Sequence, residues 1–512
     1  MITVWYDHHE DGYELGYTNA SSLSPSTQIW GDGNCSNGYA FGKSCTKPSD
    51  DVLVAGQSIV IENSIDIVAG AKNGIKYDGG DKILSSYPIA ITRGAYPSAP
   101  GSLMAGAVEV LDTVEWGTSY VAPVGQNVYT PTGAFRNTAY YIMAKDNGTV
   151  VTTTDGGNYT LNIGDSVTHV VKNNGINITA TNPVQIDILA GDIGSTYELR
   201  WYVLFPRSAW TNSYFSPVGD TVGACKILLY NPSSDTDIMV TVTHSDAQNS
   251  SGKRIYPAPY NVTVRRRNYA FTNVIQSGTG AQLTASQDFI ALSLTDTANS
   301  GQVYDWGFPV LPSNKLTEKV LVGWGYGCTG KRCDQVNSVG GLPRSVVWVS
   351  PWEDADIYVD IDNDGIPEPN KTINGALRLS SHIIENGVDL SGAVIWAVKP
   401  NEPHNSTKSV SIAAAWGQNA AYSYAIDPYA LDLGKAITLE ILVCCCCLPN
   451  GSSYRTSGTL VPPFIGVRVD EFIALAEDKD GDGMISPGDV VEYTVRLRCS
   501  YESKDSIWSN CL

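Results

Sequence analysis

Residues 116–125 read WGTSYVAPVG, and residues 210–219 read WTNSYFSPVG. Trp, Ser, Tyr, Pro, Val and Gly fall at the same six offsets in windows ninety-four residues apart, which marks an internal repeat. The segments downstream of the two windows are also alike. After the first come an apolar strand at 141–145, a turn at Asp146-Asn147-Gly148 and an alternating strand at 149–154. After the second come ILLY at 227–230, a turn at 231–234 and IMVTVT at 238–243. The units close on ITATNPVQIDILAGD (178–192) and LTASQDFIALSLTD (283–296), with looser echoes at ILSSYPIAITRG (83–94) and NSTKSVSIAAAWG (405–417). Four units are therefore expected.

The chain has 512 residues, too many for one core. Charged residues make up 17%, and apolar runs are short, alternating and broken by Gly, Pro, Ser, Thr and Asn. That pattern predicts an all-β protein of tandem β-sandwiches, Ig-like or jelly-roll-like. The expected units are residues 1–112, 113–206, 207–312 and 313–440, then a Cys-rich strand and linker at 441–462 and an incomplete Ig-like domain at 463–512. Aromatic and Pro residues at the joins, ELRWYVLFP and VYDWGFPVLP, predict packed linkers and an elongated rod.

A net charge of −19 disfavours nucleic acid, and Arg265-Arg266-Arg267 reads as a solvated strand or a salt-bridge partner. No apolar run has the length of a membrane span. The opening MITVWYDHHEDG has no basic and apolar leader pattern, so either a leader has been removed or the sequence is a piece of a longer protein. Its Asp7-His8-His9-Glu10-Asp11 run reads as a surface turn rather than a metal cluster, since adjacent side chains on an extended segment diverge.

Eleven cysteines include three local pairs, Cys35 with Cys45, Cys328 with Cys333 and Cys499 with Cys511. Cys444, Cys445, Cys446 and Cys447 are consecutive, and Cys225 is their expected intrachain partner. An odd count leaves a free thiol or a bond between subunits. Such use points to an oxidising compartment, extracellular or at the cell surface. Sequons at Asn19, Asn34, Asn147, Asn158, Asn177, Asn249, Asn261, Asn370, Asn405 and Asn450 are candidate glycosylation sites.

Two acidic loops suit Ca²⁺. In the first, Asp360, Asp362 and Asp364 alternate before Gly365, but Lys371 occupies the closing position, so Glu368, Asp354 or Asp356 must supply further oxygens. In the second, Asp478, Asp480 and Asp482 lead to Gly483, with Asp489 at the twelfth position and Met484 placed to offer its carbonyl. The segment holding this second loop has some fifty residues, about half of what an Ig-like sandwich requires. Either the chain continues or a strand from another chain completes it.

Several motifs resemble a known family. YDHHEDGYE, QIWGDGN, DVLVAGQSIV, YDGGDKI, IAITRGAYP, AGAVEV, WGTSYVAPVG and PVQIDILAGDIGSTYELRWYVLFP are similar to the N-terminal region of secreted, modular bacterial surface proteins. Those proteins resemble the N-terminal domain of IgG-Fc-binding protein. Residues 1–310 carry the likeness, and VRVDEFIALAEDKDGDGMISPGDVVEYTVRL resembles the start of an adhesin-type Ig-like repeat. The resemblance implies a fold and a location but no chemistry.

No HExxH, GxSxG, Walker or dinucleotide motif occurs, and His169, His244, His382 and His404 are scattered. The expected function is thus structural and not enzymatic: a subunit of a surface filament, built from copies of itself with strands donated between them. An adhesin recognising a glycan or a protein is the alternative. A carbohydrate-active enzyme ranks third.

Overall fold

The computed structural model describes residues 2–7, 13, 27–37, 45–57, 59, 80–95, 106–192, 198–295, 306–323, 325, 345–384, 390–418, 434–437, 466–477 and 490–500. Among them are strands, turns and short 3-10 turns but no α-helix, in line with the all-β reading. Met1–Val461 form one compact unit and Pro462–Leu512 another.

The first repeat contributes β1 (Val4–Asp7), β2 (Gln28–Trp30) and β3 (Lys82–Ser85), in the order β2-β1-β3, and a separate pair, β4 (Thr92–Ala95) with β5 (Gly106–Glu109). Its sequence motifs meet at one buried carboxylate. Asp51 accepts N–H bonds from Gly31, Asp32, Gly33 and Asn34 at 2.8, 3.1, 3.0 and 3.2 Å, so the QIWGDGN turn is wrapped around it.

The second repeat holds β6 (Gly117–Val121), β7 (Asn137–Ala144), β8 (Thr149–Thr153), β9 (Asn158–Leu161), β10 (Ser166–Val170), β11 (Asn177–Asp192) and β12 (Glu198–Val203). β7 alternates strictly between half-buried and buried, as a strand with one face on a core must. β11 organises the rest. Its residues 177–180 pair with β6 and β8, whereas 184–192 pair with β7 and β12. The register breaks between Thr179 and Val184, where Asn182-Pro183 interrupts the ladder. The seven strands are thus joined through β11, whose first half runs between β6 and β8 and whose second half runs between β7 and β12, with a bridge from Val184 back to Gly117 of β6.

The third repeat obeys the same plan strand for strand. It runs β13 (Thr211–Ser216), β14 (Lys226–Asn231), β15 (Ile238–Thr243), β16 (Tyr260–Val264), β17 (Asn268–Phe271), β18 (Ala281–Leu294) and β19 (Gly307–Pro309), with a short β20 (Leu311–Pro312) added beside β13. β18 crosses as β11 does, pairing first with β13 and β15 and then with β14 and β19.

In the fourth repeat the strands are β21 (Lys319–Leu321), β22 (Ser345–Pro351), β23 (Ala355–Asp360), β24 (Ile373–Ala376), β25 (His382–Ile384), β26 (Val394–Val398), β27 (Ile412–Gln418) and β28 (Gly434–Ile437). Their orders, β21-β26-β23-β24 and β25-β22-β27-β28, reproduce the plan with the crossing strand divided into β26 and β27. Residues 399–411 fill the gap.

The repeated Trp and Tyr lock this crossing. Tyr120 is buried; its hydroxyl accepts the Gly117 N–H at 2.9 Å and donates to the Val184 carbonyl at 2.6 Å, just where β11 changes sheet. Tyr214 does the same with the Thr211 N–H at 3.2 Å and the Phe289 carbonyl at 2.5 Å. The indoles match too: Trp116 Nε1 donates to Leu111 O at 3.2 Å, and Trp210 Nε1 to Phe205 O at 3.0 Å. Phenol, indole and register break recur together because a strand leaving one ladder frees polar groups that a dry interior cannot leave unpaired.

Neighbouring repeats share cores. In ILLY, Ile227 and Leu229 pack with the third repeat's own core, while Leu228 and Tyr230 pack with the second's. Along β18, Phe289 and Ala291 face one way and Ile290, Leu292 and Leu294 the other. β22 repeats this one unit on, Val346 and Trp348 joining the third core and Val347 and Val349 the fourth. These strands read as unbroken apolar runs because both faces are covered.

A linear rod would separate the first repeat from the fourth, yet Ala107 of β5 lies in the fourth repeat's core. Four strands, one from each repeat, form a circuit: β5 packs beside β12 and β28, and β19 beside the same two. Within Met1–Val461 this closed arrangement replaces the expected rod. Its physical reason is the doubly buried strands, whose outer faces must each find a neighbour.

The last unit contains β29 (Gly466–Glu477) and β30 (Val490–Ser500), an antiparallel two-stranded sheet. Among the described residues no helix is long and apolar enough to cross a membrane.

Replacing Tyr120 or Tyr214 by Phe removes only the hydroxyl and strands a buried carbonyl. Each change is expected to lower stability by about 1–3 kcal/mol, read from the denaturation midpoint of the Met1–Val461 body at unchanged slope.

Candidate functional site

The fourth repeat carries two polar constellations at opposite ends of β23. At its C-terminal end lies the first acidic loop. Asp360 is buried, and its carboxylate accepts the N–H of Asp364 at 3.2 Å and of Gly365 at 2.8 Å. Asp362 accepts the Asp364 N–H at 3.3 Å, and Asp364 that of Ile366 at 2.8 Å. Glu368 folds back onto the Ile361 N–H at 2.9 Å. The loop is thereby drawn into a ring in which oxygens of Asp360, Asp362 and Glu368 lie within 4.8 Å of one another. Oxygens so grouped have the chemistry of a hard-cation site.

Glu368 is thus the residue that completes the sequence-predicted set. Asp354 and Asp356 are engaged elsewhere. Asp354 accepts the Arg378 N–H at 2.7 Å, and Asp356 accepts Gly375 N–H at 2.6 Å and Asn401 N–H at 2.8 Å. Asp364 is beside the ring but is not part of the triad. The loop also abuts the first repeat: a Cβ on Gly56 would lie 2.7 Å from that of Asn363, and one on Gly392 would lie 2.3 Å from the Gly56 carbonyl oxygen.

At the other end of β23 is an open cleft of about 680 Å³, lined by Asp356, Tyr358, Asn374, Asn401 and Glu402 among others. Tyr358 stacks on Trp396, ring centroids 5.7 Å apart, and its hydroxyl donates to Glu402 O at 3.1 Å. Trp396 Nε1 donates to His404 O at 2.7 Å, tying the 399–411 segment across the outer face of the sheet. Glu402 is held by Lys408 and Ser406, at 2.6 and 3.0 Å, and both contacts lower its carboxyl pKa. Sequence reading missed this cleft. Its signal was Tyr358 and Trp396 at outward strand positions, together with the polar segment NEPHNSTK.

Among the cysteines, Cys35 and Cys45 form a disulfide with Cα atoms 5.3 Å apart. Cys225, expected as a disulfide partner, is instead a free thiol sealed in the third repeat's core, with Ser293 Oγ at 3.7 Å and Val218 O at 3.8 Å. Burial pushes its pKa up to about 12. Cys328, Cys333, Cys444, Cys445, Cys446, Cys447 and Cys511 lie outside the described residues, and of Cys499 only the backbone is described. The second acidic loop, with Asp478, Asp480, Asp482, Met484 and Asp489, also lies outside them, as do Asn19 and Asn450. Of the other sequons, Asn34 is half-buried and Asn147, Asn158, Asn177, Asn249, Asn261, Asn370 and Asn405 are exposed.

Asp7 is buried and pairs with Lys82 at 3.1 Å, whereas residues 8–11 of its cluster are not described. Among the histidines, His169 bridges Tyr159 Oη at 2.8 Å and Asp155 at 3.0 Å, fixing the 154–157 turn. His382 bonds Ser380 at 2.8 Å, His244 lies against Tyr260, and His404 against Tyr358. Arg265, Arg266 and Arg267 are exposed around the β16–β17 turn.

No protein-family model, curated protein or solved structure matches the chain.

A buried thiol with a raised pKa is a poor nucleophile. Iodoacetamide at neutral pH is expected to leave Cys225 unmodified in the folded protein and to label it once urea unfolds the core, as read by peptide mass spectrometry.

Proposed function

We propose that the protein is a structural subunit of an extracellular bacterial surface filament, assembled from copies of itself. The observation that supports this reading is the sheet of β29 and β30. Among the described residues these strands pair only with each other, and their register sets apolar opposite apolar: Val469 with Leu497, Ile473 with Tyr493, Leu475 with Val491. A lone hairpin is marginal in water and its edges recruit further strands. A strand donated by another copy completes it as an Ig-like sandwich, and a donor-to-acceptor contact that does not close generates a fibre. The Met1–Val461 body, read as tandem sandwiches with shared cores, is the rigid part of the repeating unit. The Cys35–Cys45 disulfide is in keeping with a secreted location, and the exposed sequons leave room for glycosylation there. The likeness to modular surface proteins and adhesin-type repeats points the same way.

Ca²⁺ belongs to this reading as a stiffener. Asp360, Asp362 and Glu368, with Asp364 beside them, would hold one ion where the fourth repeat meets the first, and the 478–489 loop would hold another. A second reading, recognition of a glycan or a protein, is favoured by the cleft over Tyr358.

Calorimetric titration of the chelator-treated protein is expected to show Ca²⁺ binding, with Asp360→Asn lowering the stoichiometry by one; unchanged stoichiometry assigns the ion elsewhere. Assembly is tested by electron microscopy and sedimentation across a concentration series. Filaments that Val495→Pro abolishes, while the melting of the Met1–Val461 body stays put, are the expected result. Monodisperse monomers with strongly protected β29 and β30 amides would contradict it.

A further inference from the structure

The three repeats that share one plan allow a position-by-position comparison of their outer faces. In the second repeat Thr152 faces Thr179 across the outer side of the sheet, their hydroxyls 2.8 Å apart in solvent. In the third, Thr241 faces Thr284 at the equivalent place. In the fourth, the same pair is Tyr358 and Trp396. Small hydroxyls suit a wet face, whereas two stacked aromatics need cover. That cover is residues 399–411, a segment inserted only where β26 and β27 replace the continuous crossing strand. The insertion does not seal the face: it leaves the cleft.

The cleft's polar groups are of one kind. Asp356 uses one carboxylate oxygen on the Gly375 N–H and the other on the Asn401 N–H, fixing two residues of left-handed backbone with φ of 64° and 66°. This clamp sets the two sides of the opening. The exposed carboxamides of Asn374 and Asn401 have no partner among the described residues. Glu402 is neutralised by Lys408, whose ammonium is thereby taken. Among the described residues no free cation lines the cleft, and Asp356 and Glu402 are not grouped as the acidic-loop oxygens are. An anion finds no counter-charge here, and a metal ion no converging oxygens.

We propose that this cleft is a carbohydrate-binding site for a neutral sugar residue. Tyr358 is its apolar platform, the carboxamides of Asn374 and Asn401 bond the sugar hydroxyls, and Asp356 is a positioning residue that holds both sides of the cleft. Aromatic rings take the C–H face of a sugar, and carboxamides offer a donor and an acceptor to vicinal hydroxyls. The inference rests on the recognition reading and is independent of filament assembly.

The test is an array of neutral and acidic oligosaccharides probed with the full chain, beside an array of extracellular-matrix proteins, and then titration with the best soluble neutral oligosaccharide. Saturable binding to neutral glycans is expected, weakened roughly three- to tenfold by Asn374→Ala and again by Asn401→Ala. Asn374 is exposed, so its variant is expected to keep the parent melting temperature. Asp356→Asn is expected to weaken binding while leaving the order of glycan preference unchanged. Neutral-glycan binding that persists undiminished in the Asn374→Ala, Asn401→Ala double variant would overturn the site. Binding only to acidic glycans would overturn the neutral specificity. Binding to matrix proteins but to no glycan would overturn the inference and leave the recognition reading standing; binding to neither array would overturn both.

Discussion

A strand that passes from one sheet to another must leave its first ladder before it joins the second, and the peptide groups in between lose their partners inside a dry core. The repeats resolve this with one phenol. Tyr120 and Tyr214 each take an N–H from their own strand's start and give a hydrogen bond to the carbonyl at the far side of the break. Burial raises both phenol pKa values, so the hydroxyls stay protonated and able to donate. The Trp four residues upstream pins the preceding segment through its indole N–H. The aligned motif is therefore the hardware of the crossing, and its side chains are alike in both copies because the same groups need satisfying in both.

Once the crossing is fixed, its second half lies in a sheet with apolar residues on both faces. Ile290, Leu292 and Leu294 point away from their own core and are buried in the neighbour's. The repeats are consequently not beads: the third supplies a wall of the second's core, and the fourth a wall of the third's. Carried around to Ala107 in the fourth core, that packing places β5, β12, β19 and β28 in contact and brings the acidic loop against the first repeat. Cation binding at Asp360 would then bear on a junction rather than on a free tip.

Much of this was legible in the chain. The two repeat windows coincide with β6 and β13, which hold equivalent places beside β11 and β18, and the echo at 405–417 runs into β27. The all-β class came from short alternating runs. The run ILLY announced a strand covered on both sides, but a single sequence does not say what covers it, and packed linkers were read as a rod. The acidic loop was found by spacing; that Glu368 rather than Asp354 or Asp356 completes it depended on which backbone N–H groups the alternatives cap. The cleft was the hardest to see, since it needs the strand register that sets Tyr358 against Trp396 where the sister repeats set Thr against Thr.

Because the second and third repeats share a core, they are predicted to open as one cooperative body, and native-state hydrogen exchange read by mass spectrometry tests this most directly. Amides of residues 186–190 in β11 and 290–294 in β18 are predicted to open with the same free energy and the same denaturant dependence. Exchange of the second repeat through an opening of its own, with residues 290–294 still protected, would contradict the shared core.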